Sequence, residues 1–504
     1  MKQIIVSIIL IFSTSVCVQS QTTEQASSTN TDEKALLSAY KALISKNEQF
    51  LEANHETIFG TNTKAFKARN DSLKNTETAL VNSFQNSNKS IDPQLISGLY
   101  TETDYKHRRY QLLYPHNFHR YTGFEKKADV PSDYFENILA DSFTKPDLLQ
   151  SSAYERCINY YFDILSAKEY KFSHLERVPL KRLDNRYEAI VNLQANQEIK
   201  DFFLKEHFNA NIWTYRVEAF DDTYKKALTD VKNEAYREEI KAAIKMGKDR
   251  RKEASEIRTY RVVEGIKLNA HIFYPENHTP SAQRPAHLFF HGGGWAIGLP
   301  EWSYGSCKKA AAAGRVAITF DYRLRNVHGT DIKASVSDAL AAIAWVRENA
   351  NTLGVNPNKV LVEGFSAGAH LALIAAMIEQ PKDFGVLSKY SSKPNALILG
   401  SAPYDITGRD VYNVDYDPKI ISPLYLEEGN LPPILAFHGE KDEMVEFSEF
   451  EKFKDKMLKS NIDFIFRTYP NAGHFYFRET TKTEAKEEKE LISQFLLKNE
   501  FTTN

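Results

Sequence analysis

Lys359-Val360-Leu361-Val362-Glu363, followed by Gly364-Phe365-Ser366-Ala367-Gly368 and then by the run Ala369 to Ala376, decides how this chain folds. The first five residues are the short apolar run of a buried strand. The last eight carry no Gly, Pro or acidic residue and read as a buried helix. A serine on so sharp a strand-to-helix turn needs very small neighbours, because its strained backbone packs against the start of the helix. Gly364 and Gly368 supply that room. The next amide, that of Ala367, then points from the helix N-terminus to where an oxyanion would form. Ser366 is thereby the candidate nucleophile.

Upstream, His291-Gly292-Gly293-Gly294-Trp295 follows the apolar run Leu288-Phe289-Phe290. Three glycines let backbone N–H groups turn inward with no Cβ in the way, as an oxyanion hole requires. No Lys-Ser/Thr follows, and the spacing is not that of a dinucleotide fingerprint, so a phosphate-cradling loop is the weaker reading. A nucleophilic serine needs a base, and the base an orienting carboxylate. Downstream candidates for the acid are Asp442, in the loop after Ile434-Leu435-Ala436-Phe437-His438-Gly439, together with Asp405, Glu440 and Glu443. For the base they are His474, in Asn471-Ala472-Gly473-His474, together with His438 and His291, which stand at strand ends where a histidine commonly bonds loop backbone.

The surrounding grammar is short strand runs alternating with helical ones. Residues 259–263 and 267–273 read as a hairpin about Glu264-Gly265-Ile266. Further strands are expected at 287–290, 316–320, 360–364, 396–399, 434–437 and 464–468, and helices at 305–313, 332–350, 367–379 and 447–460. Such alternation predicts an α/β fold, a doubly wound and mostly parallel sheet.

From about 259 to 500 the sequence resembles the α/β-hydrolase superfamily, and more narrowly the hormone-sensitive-lipase-like and acetylesterase-like bacterial carboxylesterases. The matching residues are His291-Gly292-Gly293-Gly294-Trp295, Asp321-Tyr322-Arg323-Leu324, Gly364-Phe365-Ser366-Ala367-Gly368, Pro432-Pro433 with His438-Gly439 and Asp442, and Gly473-His474. The resemblance implies acid before histidine along the chain, hence Ser366 as nucleophile, His474 as base and Asp442 as its partner. It implies an oxyanion hole from the amides of Gly293, Gly294 and Ala367, with Gly292 in place of Gly294 left open. It implies a structural charge pair of Asp321 with Arg323 beside that loop. After Leu324 the chain departs from the lipase-like pattern, reading Arg325-Asn326-Val327-His328 where those relatives commonly have Ala-Pro-Glu, which favours the acetylesterase and polysaccharide-deacylating relatives. Trp295 and Tyr476 are expected as substrate-binding residues, with Trp302 and Phe475 beside them and packing as the alternative. No cofactor is implied, and no Cys/His spacing suits a metal.

The first half is different material. Of 21 glycines only Gly60, Gly98, Gly123 and Gly247 precede residue 251, and apolar residues recur at three and four, as in Leu36-Leu37-Tyr40-Leu43-Ile44. An all-helical domain of unassigned role and partner is expected over 35–254, joined to a catalytic domain over 255–504. Its many aromatics, among them Tyr154, Tyr160, Tyr161 and Phe162, suit helix packing. Before it, Lys2, the apolar run Ile4 to Phe12 and Val18-Gln19-Ser20 read as a secretory signal over 1–20, cut before Gln21, with a lipidated Cys17 as the alternative. Residues 21–34 read as a flexible lead. Export to the periplasm or beyond is therefore expected. Cys157 and Cys307, one in each half, are expected as buried free thiols.

The 504 residues are 42% hydrophobic and 26% charged, with 64 Lys plus Arg against 66 Asp plus Glu and a formal net charge of -2. That balance gives no field to gather nucleic acid or an anionic membrane surface, and the apolar leader is short of the ~20 residues of a membrane span. The expected function is an exported serine carboxylesterase that hydrolyses short acyl esters, acetyl or feruloyl, on a small molecule or a polysaccharide. Two alternatives are carried. One is a prolyl-type serine peptidase of the same fold, whose first half is usually a β-propeller. The other is a binding protein with a vestigial hydrolase domain.

Overall fold

The computed structural model describes residues 30–87, 90–123, 126–166, 181–216, 221–407 and 416–502. The expected secretory signal and residues 21–29 of the lead lie outside the described residues. The chain divides into two units: of the described residues, one takes 30–209 and 221–241, the other 210–216 and 242–502.

In the helical unit α1 is Thr31–Ala53, α2 Thr63–Ser87, α3 Pro93–Thr122, α4 Ser152–Ser166 and α5 Lys181–Val191. Along the chain, α6 (Gln197–Asn211) and α7 (Glu234–Arg250) begin in this unit and end in the other. Helix α1 starts within the segment expected as a flexible lead. Its cause is local: the Asn30 side chain accepts the Asp32 amide at 3.0 Å, and Asp32 and Glu33 sit in the first turn, where negative charge is favoured. Leu36 and Tyr40 of α1 share a core with Val81, Ile96 and Leu99, and Leu51 shares a second with Phe66 and Tyr114. Tyr154 is fully buried, edge-on to Tyr105 at 4.9 Å, and its hydroxyl donates to the Ser142 carbonyl at 2.8 Å, a packing role. Cys157 and Cys307 are buried free thiols. Burial pushes the Cys157 thiol up to about 12, away from the reactive range.

The second unit is built on an eight-stranded sheet in the order β1-β2-β4-β3-β5-β6-β7-β8. Its strands are β1 Glu256–Val263, β2 Ile266–Phe273, β3 Arg284–Phe290, β4 Val316–Phe320, β5 Val355–Phe365, β6 Ala396–Gly400, β7 Ile434–Gly439 and β8 Phe464–Tyr469. The pairs β1/β2 and β2/β4 are antiparallel and the rest parallel, the expected α/β architecture. Every residue of β4, β6 and β7 is buried, which is why they read as unbroken apolar runs. Helices α8 (Tyr304–Ala312), α9 (Ile332–Glu348), α10 (Ala367–Met377), α11 (Phe447–Lys459) and α12 (Lys482–Lys498) cover the sheet. Residues of α9, α10 and α11 share one core. Phe495 and Leu496 of α12 enter another, with Leu361, Ile398 and Phe437.

Strand order places the candidate site. β3 and β5 are neighbours, with Phe290 paired to Gly364, so the loops that leave their C-terminal ends emerge side by side. Ser366, at φ 53 and ψ -124, makes the turn from β5 into α10. A Cβ on Gly368 would lie 1.9 Å from the Phe290 carbonyl oxygen, and one on Gly364 would lie 2.3 Å from Gly368 backbone. The turn is thus pressed onto the end of β3 with no room for a methyl group.

Two outcomes follow. Gly368→Ala should cost about 3 kcal/mol or more in urea unfolding, since backbone must move. Gly305→Ala in α8, where an added Cβ meets nothing within 4 Å, should stay within about 1 kcal/mol of wild type; similar losses in both variants would show that the turn is not sterically clamped. The second outcome concerns pH. Burial holds His271 down to about 3 and His291 down to about 4, so both stay neutral in the fold well below their ordinary value of 6.5. Because the unfolded chain binds those protons first, stability is full above pH 6.5 and is lost as pH falls from there towards 4, by about 1.4 kcal/mol per pH unit for each histidine. A urea midpoint flat across that window would refute it.

Candidate active site

Asp442 and His474 stand in the loops that follow β7 and β8. Those loops lie against each other, for a Cβ on Gly439 would be 2.2 Å from the Gly473 carbonyl oxygen, and the Lys441 amide donates to the Ala472 carbonyl at 2.9 Å. His474 Nδ1 donates to Asp442 Oδ2 at 2.7 Å. The other carboxylate oxygen, Oδ1, accepts the amides of Met444 and Val445 at 2.9 and 2.8 Å. Burial of Asp442 works against its ionisation, but the hydrogen bond and charge of His474, with the charge of His438 and the Val445 amide, hold the carboxyl below its ordinary value. With Nδ1–H committed to Asp442, His474 Nε2 is the nitrogen left to take a proton.

Ser366 and His474 approach over the C-terminal end of β6. The Ser366 amide donates to the Gly400 carbonyl at 2.8 Å, and Ser401 Oγ donates to the His474 carbonyl at 2.9 Å. Next to Ser366, the Phe365 ring is 5.1 Å from the His474 ring. Ser366, Asp442 and His474 are 8%, 6% and 6% exposed. Among the described residues the Ser366 hydroxyl has no hydrogen-bond partner, and bonds of this kind commonly tighten only when substrate is bound.

The three candidate oxyanion amides are aimed by the carbonyls at the other ends of their peptides. A trans peptide directs its C=O and N–H in opposite senses, so fixing one aims the other. The Gly292 carbonyl, which shares a peptide with the Gly293 amide, accepts His291 Nδ1–H at 2.7 Å and the Tyr322 hydroxyl at 3.3 Å. The Gly293 carbonyl, paired with the Gly294 amide, accepts the amides of Ala296 and Ile297, both at 3.1 Å. The Ser366 carbonyl accepts the His370 amide at 3.1 Å, which turns the Ala367 amide out of the helix end. Gly292 adjoins the nucleophile, since a Cβ there would be 3.4 Å from Ser366 Cβ.

The remaining candidates are placed elsewhere. His438 Nε2 lies 3.1 Å from the Val445 carbonyl and 3.4 Å from Asp442 Oδ2, a brace behind the acid. His291 braces the glycine loop. Asp405 accepts the Thr407 amide and hydroxyl at 2.8 and 2.6 Å, Glu440 accepts the Thr468 hydroxyl at 2.8 Å, and Glu443 is exposed. Trp295 and Tyr476, expected to face substrate, are 4% and 5% exposed and sit in the core: Trp295 is edge-on to His370 at 5.1 Å, and Tyr476 stacks on Tyr469 at 5.0 Å. The expected Asp321–Arg323 pair does not form. Arg323 instead binds Asp338 with its amide, Nε and Nη2 at 2.9, 2.8 and 3.0 Å, while Asp321 accepts the Asn269 amide and side chain, both at 3.1 Å, and pairs with Arg216. Each charge is met by a partner from a distant segment, Arg216 for Asp321 and Asp338 for Arg323.

Three contributions go beyond the sequence reading, which gave a role only to Phe475 among the residues concerned. Tyr322, inside the matched Asp321-Tyr322-Arg323-Leu324, donates to the His291 carbonyl at 2.8 Å. The departing residues Arg325 and Asn326 donate their amides to the carbonyls of Trp295 and Ala296 at 3.0 and 3.1 Å, and so hold the glycine loop from outside. Beside His474, Phe475 stacks on Phe365 at 5.6 Å, Phe477 meets Phe365 edge-on at 5.2 Å and is 47% exposed, and the Arg478 guanidinium lies over both rings. Among the described residues no group of three or more His, Cys, Asp or Glu is placed to hold a metal ion, and no helix is long and apolar enough to cross a membrane.

Known proteins share this half. A structure of an esterase from the Planctomycetes species Thermogutta terrifontis, with propionate bound, is 31% identical, covers 50% of this chain and 97% of its own, and has a TM-score of 0.47. A family model described as BD-FAE matches residues 271–408. Esterase LipC of Mycobacterium tuberculosis is 25% identical over 220 residues, 39% of this chain and 54% of that protein. Esterase LipQ of the same organism is 27% identical over 241 residues, 43% of this chain and 56% of that protein. The chain thus spans about half the length of these two relatives. With a mostly parallel eight-stranded sheet and these matches, the C-terminal half of the chain belongs to the serine esterases of the α/β-hydrolase family.

Proposed function

We propose that this protein is an exported carboxylesterase that removes short acyl groups, acetyl or feruloyl, from a polysaccharide or oligosaccharide, with Ser366 as nucleophile, His474 as base and Asp442 as its orienting acid. The observation that carries the reading is the Asp442–His474 bond at 2.7 Å, formed where two loops meet beside the strained Ser366 turn. Ser366 Oγ attacks the ester carbonyl carbon while its proton passes to His474 Nε2. The tetrahedral oxyanion lies against the amides of Gly293, Gly294 and Ala367, each such donor lowering the barrier by roughly 3 kcal/mol. Asp442, ionised, stabilises the imidazolium. The proton then goes to the departing alkoxide oxygen, the C–O bond breaks, and an acyl-serine remains. A water molecule, deprotonated by His474, repeats the addition and releases the carboxylic acid.

The leaving alcohol must approach His474, which protonates it. Phe477, exposed beside His474, is therefore the ring offered to that part of the substrate, and a ring of this kind suits a sugar or an aromatic acyl group. The BD-FAE match supports the same class of ester. The leader-like segment through Ser20 supports export, which brings the enzyme to polymeric esters.

Ser366→Ala should lower 4-nitrophenyl acetate turnover by about 10³-fold or more at an unchanged urea midpoint; equal rates in wild type and variant would end every catalytic reading. Phe477→Ala should lose more kcat/KM on acetylated xylo-oligosaccharide than on 4-nitrophenyl acetate, followed by acetate release, and equal losses on both would remove that ring from substrate recognition.

A further inference from the structure

Residues 210–216 lie in sequence among the helices of the first half, yet they pack within the hydrolase unit. Three of them reach the surroundings of the glycine loop. The Trp213 carbonyl accepts the indole Nε1–H of Trp302 at 2.7 Å, the Thr214 carbonyl accepts the Gly298 amide at 3.3 Å, and the Arg216 guanidinium pairs with the Asp321 carboxylate. The Arg250 guanidinium lies 5.0 Å over the Trp213 ring and donates to the Glu301 carbonyl at 3.0 Å, which ties the segment to the stretch that follows the loop.

Each partner leads to a candidate oxyanion amide. Gly298 ends the loop, and its backbone packs under His291: a Cβ there would be 2.5 Å from His291 Nδ1, the atom that holds the Gly292 carbonyl. The Trp302 ring is edge-on to His291 at 5.8 Å. Asp321 directly precedes Tyr322, whose hydroxyl holds the carbonyls of His291 and Gly292. The loop needs such support, because Gly293, Gly294, Trp295 and Gly298 all stand at positive φ. A loop in that state persists only when its surroundings over-determine it. Asp321 is 4% exposed and its Oδ2 is taken by Asn269, so Oδ1 depends on Arg216 for its countercharge. Removing that cation leaves a buried carboxylate that must shift.

We infer that residues 213–216 form a strap that positions the oxyanion loop, with Arg216 as a positioning residue for the ester hydrolysis proposed above. The inference rests on that reading for its kinetic arm only.

The test uses the full chain with Arg216→Ala, Arg216→Lys and Trp302→Phe. Turnover of 4-nitrophenyl acetate and amide hydrogen exchange of peptides spanning 291–298 are measured on each. Arg216→Ala should lower kcat about tenfold while KM stays within about twofold, as expected when transition-state donors are displaced but substrate binding is kept. Exchange should rise at 291–298 and not across the β6–β8 half of the sheet. Arg216→Lys should recover part of the kcat, and Trp302→Phe should reproduce the local exchange change. A wild-type kcat in Arg216→Ala, or exchange that rises evenly over the whole unit, overturns the strap. If wild type fails to turn over the ester, the proposed activity fails instead, and local exchange alone decides the strap.

Discussion

The contact on which the rest depends is backbone against backbone: Gly368, in the first turn of α10, lies on the carbonyl that ends β3, closer than any side chain would allow. It joins the two loops that leave β3 and β5. One carries Ser366 and the Ala367 amide, the other the amides of Gly293 and Gly294. Because the two strands are neighbours in register, the distance between the candidate nucleophile and the candidate oxyanion donors is set by the sheet rather than by flexible side chains. The strain at Ser366 persists because the surroundings are rigid: α10 is buried along its whole length, and β3 is buried from Pro285 to Phe290.

Electrostatics around this contact are divided by function. Two histidines beside the oxyanion loop, His291 and His328, are held neutral by burial. Burial pushes His291 and His328 down to about 4, and His328 Nδ1 accepts the Leu324 amide at 2.9 Å, which a protonated ring would not do. Asp442 is the opposite case, a buried carboxylate kept ionised by the histidine it faces and by two amides. In the proposed reaction the positive charge that forms on His474 therefore has one built-in counterion, Asp442. A second imidazolium at His291 would lose nothing as a donor but would sit buried with Arg216 nearby, which is why burial and that neighbouring charge both oppose it.

How much of this is legible in the sequence follows from how local each cause is. Strands buried on both faces announce themselves as apolar runs, and the serine turn does so through its small neighbours, because both constraints act within a few residues. Helix α12 lacks a clear signal: its first nine residues are mostly charged, its buried contribution is confined to Phe495 and Leu496, and its start is set by a Thr481–Glu484 capping box. Trp295 and Tyr476 were read as substrate-facing because they adjoin reactive residues, but adjacency does not fix direction. At positive φ Trp295 turns into the core, and Phe477 rather than Tyr476 stays exposed. The pairing of Asp321 with Arg323, which the family resemblance implies, fails because neither charge is met locally. Their true partners, Arg216 and Asp338, come from distant segments that the sheet brings together.

The oxyanion hole shows the same division within a single loop. Glycine type is visible in the sequence because a close approach forbids a Cβ, whereas the aim of each amide is not, since it is set by whatever holds the carbonyl across the peptide. Those anchors are a histidine ring, a tyrosine hydroxyl and two loop amides, none of which touches the oxyanion position through its own donor. Their spacing from the glycines along the chain ranges from one residue to about thirty, so no short motif contains them all. A change at Tyr322 or at its support would therefore alter the direction of a donor while leaving every residue of the recognisable motif in place. In this fold the motif marks the candidate atoms, and the carbonyl anchors set where those atoms point.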